Sequence, residues 1–230
     1  MSLVEASWSS LTPHWQACLE ESWQAFCEGT IPIGAVVIDA QGQVLARGRN
    51  RIYADSAPDG QVCQTELAHA ELNALLALGV DQGDRREWAL YTTTEPCPLC
   101  MGAFYMSGIR TLHYGSQDVW SGSVNLLGTT PYLSRKPIKT FGPGETDFTA
   151  RRAESSPVPN SIVGLGIAWY MGRSGGRVAD WCRRMEQFNP AGVQLGFNLY
   201  ESGELRRWAE ADLPAQQVFE VLWQRLERGV

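Results

Sequence analysis

Two short motifs, each at the head of a candidate helix, constrain this chain more than anything else in it. One is His69-x-Glu71 in "AHAELNAL"; the other is Pro96-Cys97-x-x-Cys100 in "TEPCPLCMGAF". Residues at i and i+2 point to different sides of a helix, so His69 and Glu71 can serve one site only over the helix's N-terminal end. Cys97 and Cys100 likewise fall in the first turn of theirs. The fold must then let two helix N-termini converge, each a positive dipole end with free N–H groups that stabilise thiolates.

A lone CxxC pair is ambiguous between a disulfide, a redox dithiol, a structural zinc knuckle and half of a catalytic metal site. A closed structural zinc site needs two more ligands, from a second CxxC or an HxxxH, and the chain has neither. Its histidines are His14, His69 and His113. Counted this way, His69, Cys97 and Cys100 supply three zinc ligands and leave a fourth position open for water, the mark of a catalytic site. Zinc lowers the pKa of bound water to about 7. Glu71 is placed to take up the released proton.

The pattern around these motifs alternates. Apolar spacing predicts a helix over 13–28, with Trp15, Leu19, Trp23 and Phe26 on one face, and strands over 35–38 and 44–46. A polar loop follows, then a helix over 67–79 packed through Leu72, Leu75, Leu76 and Leu78. A strand over 88–94, a helix over 97–108, a strand over 111–115 and a fifth strand over 136–142 complete the series. Such alternation predicts an α/β layer with neighbouring parallel strands. Residues 142–160, rich in Pro, Ser, Gly and charge, read as a linker or long loop. Beyond them helices are predicted over 178–188, 203–211 and 214–226. The division is a zinc domain at 1–145 and a mostly helical C-terminal extension at 146–230, packed on the same domain.

The chain of 230 residues is 44 % apolar and 19 % charged, an ordinary globular composition. No stretch approaches the roughly 20 apolar residues of a membrane helix, and the start MSLVEASWSS lacks the pattern of a signal peptide. A cytoplasmic protein with reduced thiols is the expectation. The formal charge is −6, and residues 1–30 contain no Lys or Arg. From residue 174 to 230 seven Arg face eight acids. That balance disfavours a large nucleic-acid footprint.

The order "PIGAVV", "GRNR", "HAE", "TEPCPLCMGA" and "YGSQD" resembles the cytidine deaminase superfamily. The spacing H-x-E … P-C-x-x-C is the signature of its zinc enzymes. The chain is most similar to the branch holding guanine deaminase, fungal-type cytosine deaminase and bacterial tRNA adenosine deaminase. The resemblance covers about residues 10–125 and the strand near Ile138. It implies a three-layer α/β/α sandwich, zinc held by His69, Cys97 and Cys100, and proton shuttling by Glu71. It also implies substrate contacts at Asn50 and Ala70, and a homodimer.

The implied reaction is hydrolytic attack on the ring carbon bearing the amino group of a small nucleobase or nucleoside, with ammonia leaving. The rivals are a tRNA adenosine deaminase, disfavoured by charge, and a silent member serving as a binding subunit. The second would be expected to lose the shuttle carboxylate, and Glu71 is present. The segment between Asn50 and His69 is longer than usual for the family, and the C-terminal extension is foreign to it.

Other residues have blander readings. Asn50 also suits a turn after the second strand. His14 and His113 read as surface or packing residues, and Cys18, Cys27, Cys63 and Cys182 as small packing residues, with a pocket position open for Cys63. Arg47, Arg49 and Arg51 alternate along a strand and read as a solvated face. Trp15, Trp23, Trp181, Trp208 and Trp223 read as core and interface anchors.

Overall fold

In the computed structural model, residues 7–80, 83–149 and 156–228 are described. The first helix, α1 (Pro13–Cys27), starts with Pro at its first position and buries Trp15, Leu19 and Trp23. These residues sit four apart, one stripe of a 3.6-residue helix. Strand β1 (Gly34–Ile38) is buried on both faces, and β2 (Val44–Arg49) returns beside it, three residues longer than its apolar pattern predicts. Helix α2 (Ala70–Leu76), β3 (Ala89–Thr94), α3 (Pro98–Ser107), β4 (Thr111–Ser116) and β5 (Lys139–Phe141) follow in the predicted order.

The strands form one sheet in the order β2-β1-β3-β4-β5. β1 runs antiparallel to β2 and β3, while β3, β4 and β5 are mutually parallel. Alternation along the strands builds two cores. Val36, Ile38, Ala89 and Tyr91 face α1, and Ala35, Val37, Leu90 and Leu112 face α2 and α3. The chain is therefore an α/β protein with helices on both faces of a mixed sheet, the three-layer arrangement that the resemblance implies.

Helix α2 keeps only part of its leucine pattern: Leu78 is buried and Leu75 packs against the same core, but small and polar residues form the buried face of the helix itself. Its buried residues are Ala70, Glu71, Asn73 and Ala74, whereas Leu76 is exposed. The reason is proximity. A Cβ on Gly48 of β2 would lie 2.2 Å from the Ala74 backbone nitrogen, so only small residues fit where this helix crosses the strand.

Helix α3 begins at the site and ends at Gly108 in the left-handed conformation, φ 94°. Arg110 donates to the Gly108 carbonyl at 2.9 Å, Arg85 to that of Ser107 at 3.5 Å, and Lys136 to that of Tyr105. Three cations thus neutralise the carbonyl end, leaving the positive N-terminal end to the site.

The C-terminal part holds α4 (Val158–Ser174), α5 (Asp180–Phe188), α6 (Pro190–Ser202), α7 (Glu204–Glu210) and α8 (Ala215–Arg228). Phe219, Leu222 and Trp223 of α8 join Trp15 and Trp23 of α1 in one cluster. Helices α4 and α6 are the two that periodicity misses. Helix α4 is buried at nine positions spread around its surface, so it carries no amphipathic stripe. A Cβ on Gly196 of α6 would lie 2.5 Å from Ile167 Cβ of α4. The glycines that bring these helices together are the residues that lower helix propensity in sequence. The loop read over 142–160 gives way to helix at Val158; part of it, residues 150–155, lies outside the described residues.

Candidate metal and catalytic centre

His69 is the residue immediately before α2, with extended backbone (φ −76°, ψ 155°), and Glu71 is the second residue inside it. Cys97 holds the same position before α3, with Pro98 at the first helical residue and Cys100 in the first turn. The chain reaches Cys97 directly from β3 and His69 from a long loop after β2. The side chains meet. His69 Nδ1 lies 3.5 Å from Cys97 Sγ and 3.4 Å from Cys100 Sγ.

These three donor atoms all fall within 4.8 Å of one another, the one such donor group among the described residues. Cys63 is outside it. One imidazole nitrogen and two sulfurs suit zinc, and three donors leave a tetrahedral ion one open position. Charge points the same way. Cys97 is held down to about 4 by its hydrogen bond from Cys100 and, against burial, by His69. Cys100 is pushed far up, because its proton is held by Cys97, by burial and by the Glu71 carboxylate. A divalent cation at this point compensates the charge of two thiolates side by side. The residues fit the ion.

Glu71 is buried, 4 % exposed, and its Oε2 accepts the Cys100 S–H at 3.4 Å. Burial raises its pKa, the direction expected of a carboxylate that serves as a proton carrier. His69 is raised too, first by its contact with Cys97. Ala70 is buried at the first position of α2, where a backbone N–H has no intrahelical acceptor.

Asn50 is 1 % exposed and plays the turn role. Its Oδ1 accepts Thr30 Oγ1–H at 2.6 Å and the Ile52 N–H at 3.1 Å. The next residue, Arg51, donates its N–H to the Ala68 carbonyl at 2.8 Å, tying this turn to the segment that delivers His69. The amide oxygen is used up, so Asn50 does not present the donor–acceptor pair that its residue type suggests. Only its NH2 remains for a ligand.

Arg47 and Arg49 of β2, with Arg51 just past it, also differ from expectation. Arg47 pairs with Glu20 at 2.7 Å, Arg49 with Glu21 at 3.2 Å and Glu28 at 3.0 Å, and Arg51 with Glu28 at 3.1 Å. Burial deepens along the series, from 46 % side-chain exposure at Arg47 to 7 % at Arg51. This is an ion-pair ladder onto α1, not a solvated face. Period-two spacing in the strand and the acids of α1 carry the signal, but only the fold sets them side by side.

His14 and His113 pack away from the metal ligands. Both face Asp147, at 3.4 and 3.3 Å, and both lie against Tyr91 with ring centroids 4.2 Å apart, His113 stacked and His14 tilted. Sequence reasoning also passed over Glu95. Its carboxylate accepts the N–H groups of Asp118 and Val124, each at 3.3 Å, and so holds residues 118–124 against the strand end that leads to Cys97.

Residues 9–116 match the family model described as the cytidine and deoxycytidylate deaminase zinc-binding region. A probable cytosine deaminase of Schizosaccharomyces pombe is 36 % identical over 158 residues, which are 62 % of this chain and 89 % of that protein. The cytosine deaminase of Candida albicans is 32 % identical over 49 % of this chain and 70 % of its own length. A tRNA-specific adenosine deaminase of Haemophilus influenzae is 33 % identical over 46 % of this chain and 58 % of its own. The zinc donor set, the fold and these likenesses agree: the chain belongs to the zinc-dependent cytidine and deoxycytidylate deaminase family of hydrolytic deaminases.

Proposed function

We propose that the chain deaminates a free amino-bearing nucleobase or nucleoside, of guanine, cytosine or adenine type, with release of ammonia. The observation that carries the reading is the buried Glu71 carboxylate, in contact with one of the three metal-ligating side chains rather than being one of them. His69, Cys97 and Cys100 would hold zinc, which when bound supplies Lewis acidity and ionises water near neutral pH. Glu71 takes one proton from the attacking water and delivers it to a ring nitrogen, then takes the proton of the newly added hydroxyl and delivers it to the departing amine as the ring carbonyl forms. Its raised pKa suits both halves of that transfer. The Asn50 NH2 donates to an acceptor on the base, and the free N–H of Ala70 offers a second donor.

The ion-pair ladder favours a small substrate over a folded RNA. The arginines flanking Asn50 are occupied by Glu20, Glu21 and Glu28, so they are not available for phosphates. We assign the enzyme to the cytoplasm, where Cys97 and Cys100 stay reduced for the metal. We also assign it a homodimer through the α3 layer, whose outer side exposes Leu99, Met106 and Tyr132.

Ammonia release from guanine, cytosine, adenine and their nucleosides, measured at low and moderate salt, tests the substrate class. Turnover of at least one, little changed by salt, is expected. Efficient conversion of adenosine in an anticodon stem-loop that collapses as salt rises, with no turnover of small bases, would replace this reading by the tRNA one.

A further inference from the structure

The helices beyond residue 150 reach both loops that adjoin the metal-ligating residues, and they do so with the same chemistry. Tyr53 stands three residues after Asn50. The guanidinium of Arg173, on α4, lies 3.5 Å from the centre of its ring. One turn earlier on α4, Trp169 stacks on Tyr53 at 6.1 Å, with Arg173 5.8 Å from the Trp169 ring. On the other side, Arg184 of α5 lies 5.3 Å from the ring of Trp120, within the loop that Glu95 holds beside Cys97. Among the described residues neither arginine has an acidic partner within ion-pair distance, so each cation is held by a ring face.

The link from Tyr53 back to Asn50 is short and stiff. Asn50 Oδ1 accepts the Ile52 N–H, the Ala54 N–H reaches the Arg51 carbonyl at 3.2 Å, and the Arg51 guanidinium grips the Ser56 carbonyl at 3.2 Å. Ile52 and Ala54 are buried on either side of the half-exposed tyrosine. A shift of Tyr53 must therefore move the turn that aims the Asn50 amide.

We infer that Arg173 is a positioning residue for substrate recognition. It clamps Tyr53 against Trp169 and so fixes the Asn50 NH2, while Arg184 on Trp120 steadies the loop beside Cys97. The inference rests on the base-binding reading of Asn50. It makes recognition depend on α4, a helix outside the stretch that matches the family.

The test uses the full-length, zinc-loaded chain. Arg173→Gln and Tyr53→Ala are each compared with Arg173→Lys and Tyr53→Phe, which keep the cation and the ring. Hydrogen exchange of residues 50–56 is expected to quicken about 5-fold in the first pair. KM for whichever of guanine, cytosine and adenine is turned over fastest should rise about 3- to 10-fold, with kcat within about 2-fold. The conservative pair should stay close to the parent. Adding Arg173→Gln to Tyr53→Ala should change little more, because the tyrosine substitution already removes the ring that the cation clamps. Faster exchange with an unchanged KM would overturn the role in recognition, and unchanged exchange would overturn the clamp. The exchange measurement needs no substrate, so a wrong substrate class and a wrong clamp give different results.

Discussion

Cys100 Sγ and Glu71 Oε2 lie 3.4 Å apart at the N-terminal ends of two different helices. The contact puts the carboxylate proposed as proton carrier against a sulfur of the proposed ligand set, so the two roles can be tested separately by substitution.

Cys97→Ser or Cys100→Ser should abolish stoichiometric zinc binding, since either leaves two of the three donors. Metal content of the purified variants by elemental analysis checks this. A variant that keeps one zinc per chain would remove that cysteine from the ligand set.

Glu71→Gln should retain zinc and fold while turnover drops by about two orders of magnitude or more, the usual cost of losing a general acid–base group. Parallel measurement of bound zinc and ammonia release distinguishes a lost shuttle from a lost site. Parental turnover in the variant would refute the assigned role.

Asn50→Asp separates the two tasks of this residue. The aspartate still accepts from Thr30 and Ile52, as the Asn50 Oδ1 does at 2.6 and 3.1 Å, but it has no NH2 to donate. We expect near-parental zinc content and a loss of about 1–3 kcal/mol in kcat/KM. Asn50→Ala should be the more destabilised of the two in urea, because it strands both donors. Equal kinetics for Asn50→Asp and the parent would confine Asn50 to the turn.

Burial depresses His113 to about 4, with Asp147 opposing and His14 reinforcing the shift, beside the stacked Tyr91. The unfolded chain therefore binds this proton first, near pH 6.5, and stability falls as pH drops from there towards 4. The loss is about 1–3 kcal/mol over that window. Asp147, kept below its usual range by His14, His113 and Tyr91 despite burial, contributes only at still lower pH. Urea midpoints at pH 7 and 4.5 should differ less in His113→Phe, which keeps the stacking and removes the titration. An equal difference in both proteins would acquit His113.

That His69, Cys97 and Cys100 come together was legible because the grammar of the candidate metal centre is local. Each ligand sits at a helix start, and a helix N-terminus aims its side chains and free N–H groups regardless of the rest of the fold. The order of strands and helices through β5 was legible for a similar reason, since period and turn residues are short-range properties. What needed the tertiary structure were the relationships across long gaps in sequence. Asn50 lost its acceptor to Thr30, twenty residues earlier, because a strand and the end of a helix meet there. Arg49 and Arg51 lost most of their solvent to Glu21 and Glu28, in and just after α1. Helices α4 and α6 were invisible because burial on several sides erases the amphipathic stripe, and their packing glycines imitate loops. Tyr53 met Arg173 across more than a hundred residues only because the C-terminal helices fold back onto the loop after β2. Sequence determines a side chain's chemistry and its local aim; which charges and surfaces it must share that space with is decided by packing.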